Sequence, residues 1–232
     1  MKAARAAIGK SNPSRQSPNH SRQSPHPRIL SRDFYLRPTL EVARDLIGKV
    51  LVHESPTGLA SGIIVEAEAY IGESDPACHA APGPTVRNAP LYGLPGIAYV
   101  YLNYGLHYLV NAVTEGEGSP AAVLIRALEP LEGHALMRRR RARGSGRAAE
   151  TLAIHELCRG PGNLTRALGI SLQENRRDLT SSRLRIEDHG LPTRRVTWTR
   201  RIGIRVGVER EWRVCAAGSP AVSGPRPRPS VE

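Results

Sequence analysis

The sequence predicts an α+β fold, a single domain with a mixed, mainly antiparallel curved sheet surrounded by short helices. Three observations point there. The 232 residues suit one domain, or one domain with tails, and suffice to bury a real core. Strand-like patterns dominate the middle of the chain, the clearest being the alternation in IVEAEAY from Ile64. Helical periodicity is confined to short segments around them.

In chain order, PTLEVARDLIGK opens with Pro38 in its first turn and closes on Gly48. It places Leu40, Ala43, Leu46 and Ile47 on one face, which predicts a short amphipathic helix. VLVH from Val50 and GLASGIIVEAEAY from Gly58 flank Ser55-Pro-Thr-Gly and read as a β-hairpin. Prolines and glycines from Pro82 to Gly96 mark a long loop. AYVYLNYG from Ala98, HYLVNAVT from His107 and AAVLIRALEP from Ala121 are further strands, the first two joined by a turn at Asn103 to Gly105. Helices are expected at PLEGHALMRRR from Pro130 and NLTRALGI from Asn163, and strands at RIGIRVG from Arg201 and WRVCAAG from Trp212.

Outside this core the composition shifts. Residues 1–30 hold six basic residues and no acidic one, are rich in Ser, Pro and Asn, and lack apolar periodicity. A disordered basic arm is expected there. The domain proper is expected over 31–223, with a mobile basic loop at 138–150 and a disordered tail at 224–232.

The net charge of +12 and a pI near 10.4 point to a polyanionic partner, most often nucleic acid. Thirty of the 33 basic residues are arginines, the better fork for phosphate, although a GC-rich genome gives the same bias. The lysines are Lys2, Lys10 and Lys49. No run of about 18 apolar residues occurs, so no membrane partner is expected. The start lacks an apolar stretch of about 7–15 residues, which argues against a secretory signal, and its prolines argue against a transit helix. Cys78, Cys158 and Cys215 include no C-x-x-C pair, against a disulfide framework, a four-cysteine zinc site or an iron–sulfur cluster.

Two features carry chemistry. Alternation puts Ile64, Glu66, Glu68 and Tyr70 on one strand face, and carboxylates beside the apolar run Gly62-Ile-Ile-Val cost energy unless bonded or used. Six of seven tyrosines fall between residues 70 and 108. Cross-strand packing accounts for any one of them. Interleaved with Arg87, Arg126 and Glu68, they also suit flat walls for a purine. Tyr104, at a turn beside Gly105, presents a flat face suited to wedging into a base stack. His79 follows Tyr70 by nine residues and could reach the same pocket; an ordinary loop histidine is the plain alternative.

Together the segments resemble the alkyladenine (3-methyladenine) DNA glycosylase family, from about Ser31 to Ser223. The motifs are GIIVEAEAYIG from Gly62, DPACH from Asp75, VRNAP from Val86, PGIAYVYLNYGLHYLVNAV from Pro95 and VLIRALEPLEG from Val123. CRGPGNLTRALGI from Cys158, RDLT from Arg177, RIGI from Arg201 and GSPAVSG from Gly218 complete the string. The resemblance implies a monofunctional glycosylase that flips and hydrolytically excises alkylated purines, leaving an abasic site. It implies that Glu68 is the general base activating water and that Arg126 holds that water and the sugar–phosphate near it. Tyr70, His79 and Tyr101 become the base pocket, two aromatic faces with a histidine beside them. Asn111 becomes the asparagine that crowds the 2-amino group of guanine, and Tyr104 the side chain that fills the vacated space in the duplex. The implied partner is double-stranded DNA containing damaged purines, met by a monomer with no metal and no organic cofactor. The implied location is the cytoplasm with the nucleoid in a prokaryote, or the nucleus in a eukaryote.

Thr85-Val86-Arg87-Asn88 departs from the family's T-P-R-N, and Leu91-Tyr92 from its Met-Phe, which bears on the stiffness of that loop. Two other functions stay open at this point: a basic nucleic-acid-binding protein whose tyrosines only stack, and a degenerate relative that binds damage without cutting.

Overall fold

The computed structural model describes residues 27–143, 146 and 148–225. Among the described residues nine strands form one sheet in which every strand pairing is antiparallel. In chain order the elements are β1 (Arg28–Ile29), α1 (Arg32–Tyr35), α2 (Thr39–Leu46), β2 (Val50–Ser55), β3 (Gly58–Ile71), β4 (Ala98–Asn103) and β5 (His107–Val113). There follow β6 (Ala121–Glu132), α3 (His134–Ala142), α4 (Pro161–Leu168), β7 (Leu184–Asp188), β8 (Val196–Thr199) and β9 (Arg213–Ala216). The main order across the sheet is β1-β7-β2-β3-β6-β5-β4, with β9 on β3 and β8 on β9.

The long strand β3 organises the site. Its first half pairs with β2 from Ser55↔Gly58 to Val50↔Ile63, whereas Glu66, Ala67 and Glu68 pair with β9. β6 lies along its other edge, with register shifts between Ile64 and Glu66 and between Glu66 and Ala67. Bulges bend a strand and sharpen its twist. The sheet curves at the two glutamates.

The main core fills the space between sheet and helices, with Leu46 of α2, Met137 of α3, and Leu164 and Leu168 of α4 against Leu51, Ile64, Ile125 and Leu128. Truncating such a leucine to alanine costs about 2–5 kcal/mol. A second cluster, with Cys78, Leu91, Tyr99, Val113 and Ala122 at its centre, sits below Tyr70 and Tyr101.

Both expected hairpins are present, with turns at 56–57 and 104–106, as are the helix after Pro38 and α4. Four expectations are corrected. PLEG does not start a helix: Pro130 stays in β6, opposite Gly62 at a register shift where a missing N–H is tolerated, and α3 begins only at His134. Gly133 makes that corner at φ +79, where a Cβ would run into the Leu59 carbonyl oxygen and Ala60. The basic stretch from 138 is not loop up to Ala142, because its arginines are tied to carbonyls: Arg138 to Leu152, Arg140 to Ala167 and Arg141 to Leu157. RIGIRVG is a loop rather than a strand, drawn out of the sheet by the contacts described below. The arm ends earlier than residue 30, since Arg28 and Ile29 pair with Asp188 and Glu187 and Leu30 is buried. The rest of the expected arm, residues 1–26, and of the tail, 226–232, lies outside the described residues, as do 144, 145 and 147.

Candidate active site

Glu66 and Glu68 of β3 are both completely buried, and Arg126 of β6 lies between them. Its Nε donates to Glu66 Oε1 at 2.8 Å and its Nη1 to Glu68 Oε2 at 3.0 Å. Arg213 of β9 also donates to Glu66 Oε1, at 2.8 Å, and the Ser223 N–H to Glu66 Oε2, at 2.6 Å. Two carboxylates thus face two guanidiniums, the compensation that buried charge requires. Burial alone would raise the Glu66 pKa, but Arg126, Arg213 and the Ser223 amide outweigh it and hold the carboxyl below its ordinary range. Burial would likewise lower the Arg126 pKa, and Glu68 and Glu66 instead keep the guanidinium more firmly charged.

Glu68 has a different shell. Its Oε2 accepts from Arg126 Nη1 and from the Tyr70 hydroxyl at 2.9 Å, and its Oε1 accepts from the Ile202 N–H at 2.7 Å. A carboxylate offers about four acceptor positions. Oε2 is therefore filled, and one position remains on Oε1.

Tyr70, Arg126 and Ile202 all line a cavity of about 680 Å³, so the carboxylate sits directly behind its wall. The same cavity is lined by His79, Tyr99, Tyr101, Tyr104, His107 and Asn111. Its size and mixed lining are those of a small-ligand pocket. The rings of His79 and Tyr101 lie 4.4 Å apart at 62°, and those of Tyr99 and Tyr101 5.2 Å apart. His79 Nδ1 pairs with the Tyr99 hydroxyl at 2.9 Å, which leaves Nε2 for a ligand. Burial, then the Arg87 cation, pushes this imidazole below its ordinary pKa, so it is neutral at pH 7. Burial, then the charge and hydrogen bond of Glu68, push the Tyr70 phenol far upward, and it stays a donor.

Local structure explains these positions. Tyr99 of β4 is paired with Asn111 of β5, whose Nδ2 donates to the Tyr99 carbonyl across the hairpin at 3.0 Å. Arg87 lies 5.7 Å from the Tyr101 ring centroid and donates to the Leu102 carbonyl. The loop carrying it is stitched by Asn88, which donates to the carbonyls of His79 and Gly83 and accepts from the Thr85 N–H. Tyr104 stands at the hairpin tip, 84% exposed with φ +48, and Leu106 beside it is 76% exposed. Every sequence-predicted residue thus lies at the cavity or its mouth, except Glu68, one layer behind.

Sequence reasoning did not find Arg213, Ser223 or the Ile202 amide, which join the carboxylates through backbone or from distant strands. Among the described residues no group of three or more His, Cys, Asp or Glu side chains is gathered to hold a metal ion. The three cysteines are buried and unpaired.

The model of the methylpurine-DNA glycosylase (MPG) family matches residues 33–220. The chain belongs to this family. A relative from Methanocella arvoryzae is 47% identical over 199 residues, 84% of this chain and 96% of its own. One from Rubrobacter xylanophilus is 51% identical over 183 residues, 78% and 90% of the two chains. One from Bradyrhizobium diazoefficiens is 45% identical over 215 residues, 90% and 98%. All three bear the provisional name 3-methyladenine DNA glycosylase. Membership makes the chain a DNA glycosylase for alkylated bases, an N-glycosyl hydrolase. No helix among the described residues is long and apolar enough to cross a membrane.

Proposed function

We propose that the protein flips alkylated purines of the 3-methyladenine type out of duplex DNA into this cavity, hydrolyses the N-glycosidic bond with water activated by Glu68, and stops at the abasic site. The observation that carries the reading is Glu68 itself. It is fully buried, with three acceptor positions taken by residues of the cavity wall and one left on Oε1. That position takes the attacking water. As the bond breaks, the sugar becomes oxocarbenium-like, and the carboxylate both stabilises its charge and removes a proton from the water. Arg126 fixes the carboxylate and faces the sugar–phosphate from the cavity wall.

Tyr70 and Tyr101 flank the base, His79 bonds its edge through Nε2, and Asn111 crowds a guanine 2-amino group. Alkylation at a ring nitrogen makes the base cationic. A tyrosine face favours a cation by about 0.5–2 kcal/mol, and a neutral His79 does not oppose it. Damaged pairs also cost less to open. Tyr104, on its exposed tip, fills the gap left in the duplex.

The protein acts in base-excision repair as a monomer without metal or organic cofactor, with DNA in the cytoplasm of a prokaryote or the nucleus of a eukaryote. The test is to incubate pure protein with methylated duplex DNA. Release of free methylated purines is expected, and their absence would overturn the reading.

A further inference from the structure

Next to the cavity lies a charged pair that this chemistry leaves unused. Arg201 and Asp75 are joined by two hydrogen bonds, Nη1 to Oδ2 at 2.5 Å and Nη2 to Oδ1 at 2.8 Å, and both side chains are wholly buried. Nη1 also donates to the Ala69 carbonyl at 3.0 Å. The guanidinium lies over the ring of Tyr70, 4.7 Å from its centroid, with Trp212 at 5.2 Å. Tyr70 lines the cavity and Arg201 does not. One tyrosine ring therefore separates a buried cation from the seat assigned to the base.

We infer that the Asp75–Arg201 pair sets the pocket's preference between cationic and neutral bases. Asp75 cancels the charge that Arg201 would otherwise project through Tyr70 onto a base stacked on its open face. The inference rests on the proposed function, which puts the base against Tyr70. A buried ion pair is weak evidence of stability, since apolar residues of the same volume often serve as well. Here each partner has a specific position. The guanidinium anchors the segment whose next residue, Ile202, donates to Glu68, and it lies over the Tyr70 ring. An unpaired cation there would repel an alkylated, positively charged base. Asp75, which also accepts from the N–H groups of Ala77 and Ile71, neutralises it. Coulomb's law across about 10 Å at an effective dielectric of about 20 corresponds to a ten- to twentyfold change, roughly, in the preference.

The test uses two duplexes that differ at one atom of one nucleotide. One holds a 7-methylguanine made resistant to cleavage by a 2′-fluoro sugar, and is cationic. The other holds the 7-deaza analogue on the same sugar, of the same shape and neutral. The readout is the ratio of their affinities for folded protein, with folding checked by melting. Asp75→Asn should lower the cation-to-neutral ratio by about tenfold. Arg201→Met should raise it, because Asp75 keeps Arg210, whose Nη1 lies 3.6 Å from Oδ1, and its two backbone donors. Opposite signs are what a merely structural pair would not give, since both variants break the same contact. If only one variant folds, its own sign decides. An unchanged ratio in a folded variant, or a shift of the same sign in both, would overturn the inference and leave the proposed function standing. Wild-type protein that binds neither duplex better than undamaged DNA would overturn the proposed function, and the inference with it.

Discussion

The N–H of Ile202 donates to Glu68 Oε1 at 2.7 Å, joining a loop near the end of the chain to the middle of β3 across 134 residues. With Tyr70 and Arg126 it leaves the carboxylate a single acceptor position, the one the proposed function gives to the attacking water. Glu68→Gln keeps the size and shape of the side chain and removes the base. Base release should fall by about 10²–10⁴-fold while lesion binding is retained, measured by single-turnover excision and by affinity for the same duplex. Release at the wild-type rate would end the assignment of Glu68.

Both oxygens of Glu66 are bonded to the frame of the protein. It accepts from Arg126, Arg213 and both the N–H and hydroxyl of Ser223, and its carboxyl is held below the ordinary value of 4.5. A depressed carboxyl contributes stability that is fully present above the unfolded-state value and is lost as pH falls through the lower folded-state value. Glu66→Gln leaves two buried guanidiniums undercompensated and should cost about 3–5 kcal/mol at neutral pH. Melting curves should show the gap between wild type and variant widest near pH 7 and narrowing below pH 4.5. A gap that is constant from pH 7 to pH 3 would mean that the Glu66 carboxyl takes up its proton alike in the folded and unfolded chain, against the depression argued from Arg126 and Arg213.

What was legible in the sequence was what local rules decide. The hairpins of β2–β3 and β4–β5 announce themselves by turn residues between alternating runs, and α2 by its apolar face after a proline. The aromatic cluster was visible because β4 brings Tyr99 and Tyr101 to one face. What was not legible depends on partners far along the chain. RIGIRVG alternates like a strand, yet its Arg201 is claimed by Asp75 and its Ile202 N–H by Glu68. LRIED and VTWT become β7 and β8 because β2 and β9 offer them open edges, which no local signal reveals. The paired glutamates were odd in sequence, but their separate roles follow only from Arg213 and Ser223, which reach Glu66 alone.

Tyr104 stands free of the core. Tyr104→Ser should leave the melting temperature within about 2 °C of wild type, since an exposed side chain at a turn carries little packing. Excision from duplex DNA should fall, because nothing then fills the gap left by an extruded nucleotide, and excision from single-stranded DNA should change little. Equal losses on both substrates would show that Tyr104 touches the base itself.

The arm can be tested by deletion, and the structure says where to stop. Arg28 and Ile29 pair with β7 and Leu30 is buried, so the cut belongs at residue 26. Residues 1–26 include Lys2, Arg5, Lys10, Arg15 and Arg22. Each phosphate that one of them neutralises contributes about 0.9 to the slope of log affinity against log salt. Deletion should lower non-specific affinity and flatten that slope, with excision at low salt nearly intact. An unchanged slope would show that the arm does not touch phosphate.

Lysine decides whether the reaction ends at the abasic site. A glycosylase that also cuts the strand attacks the sugar with an amine and forms a Schiff base. Lys2, Lys10 and the terminal amine lie among residues 1–26, and Lys49 is the remaining lysine. Its Nζ is 2.7 Å from Asp188 Oδ2, at the entry to β2 beside β7, and Lys49 is not part of the cavity wall. Arg126, which is, cannot substitute, because two carboxylates keep its guanidinium protonated and a protonated nitrogen has no lone pair to attack with. On the proposed function, water held by Glu68 is then the nucleophile within reach of the sugar. Borohydride added to protein and an abasic duplex should therefore trap no covalent adduct, and the strand should stay intact. An adduct at Lys49 would overturn this and would also displace Glu68 from its role, since an amine would then be doing the attack. An adduct at Lys2, Lys10 or the terminal amine would instead bring the arm into the pocket, and the deletion at residue 26 would abolish it.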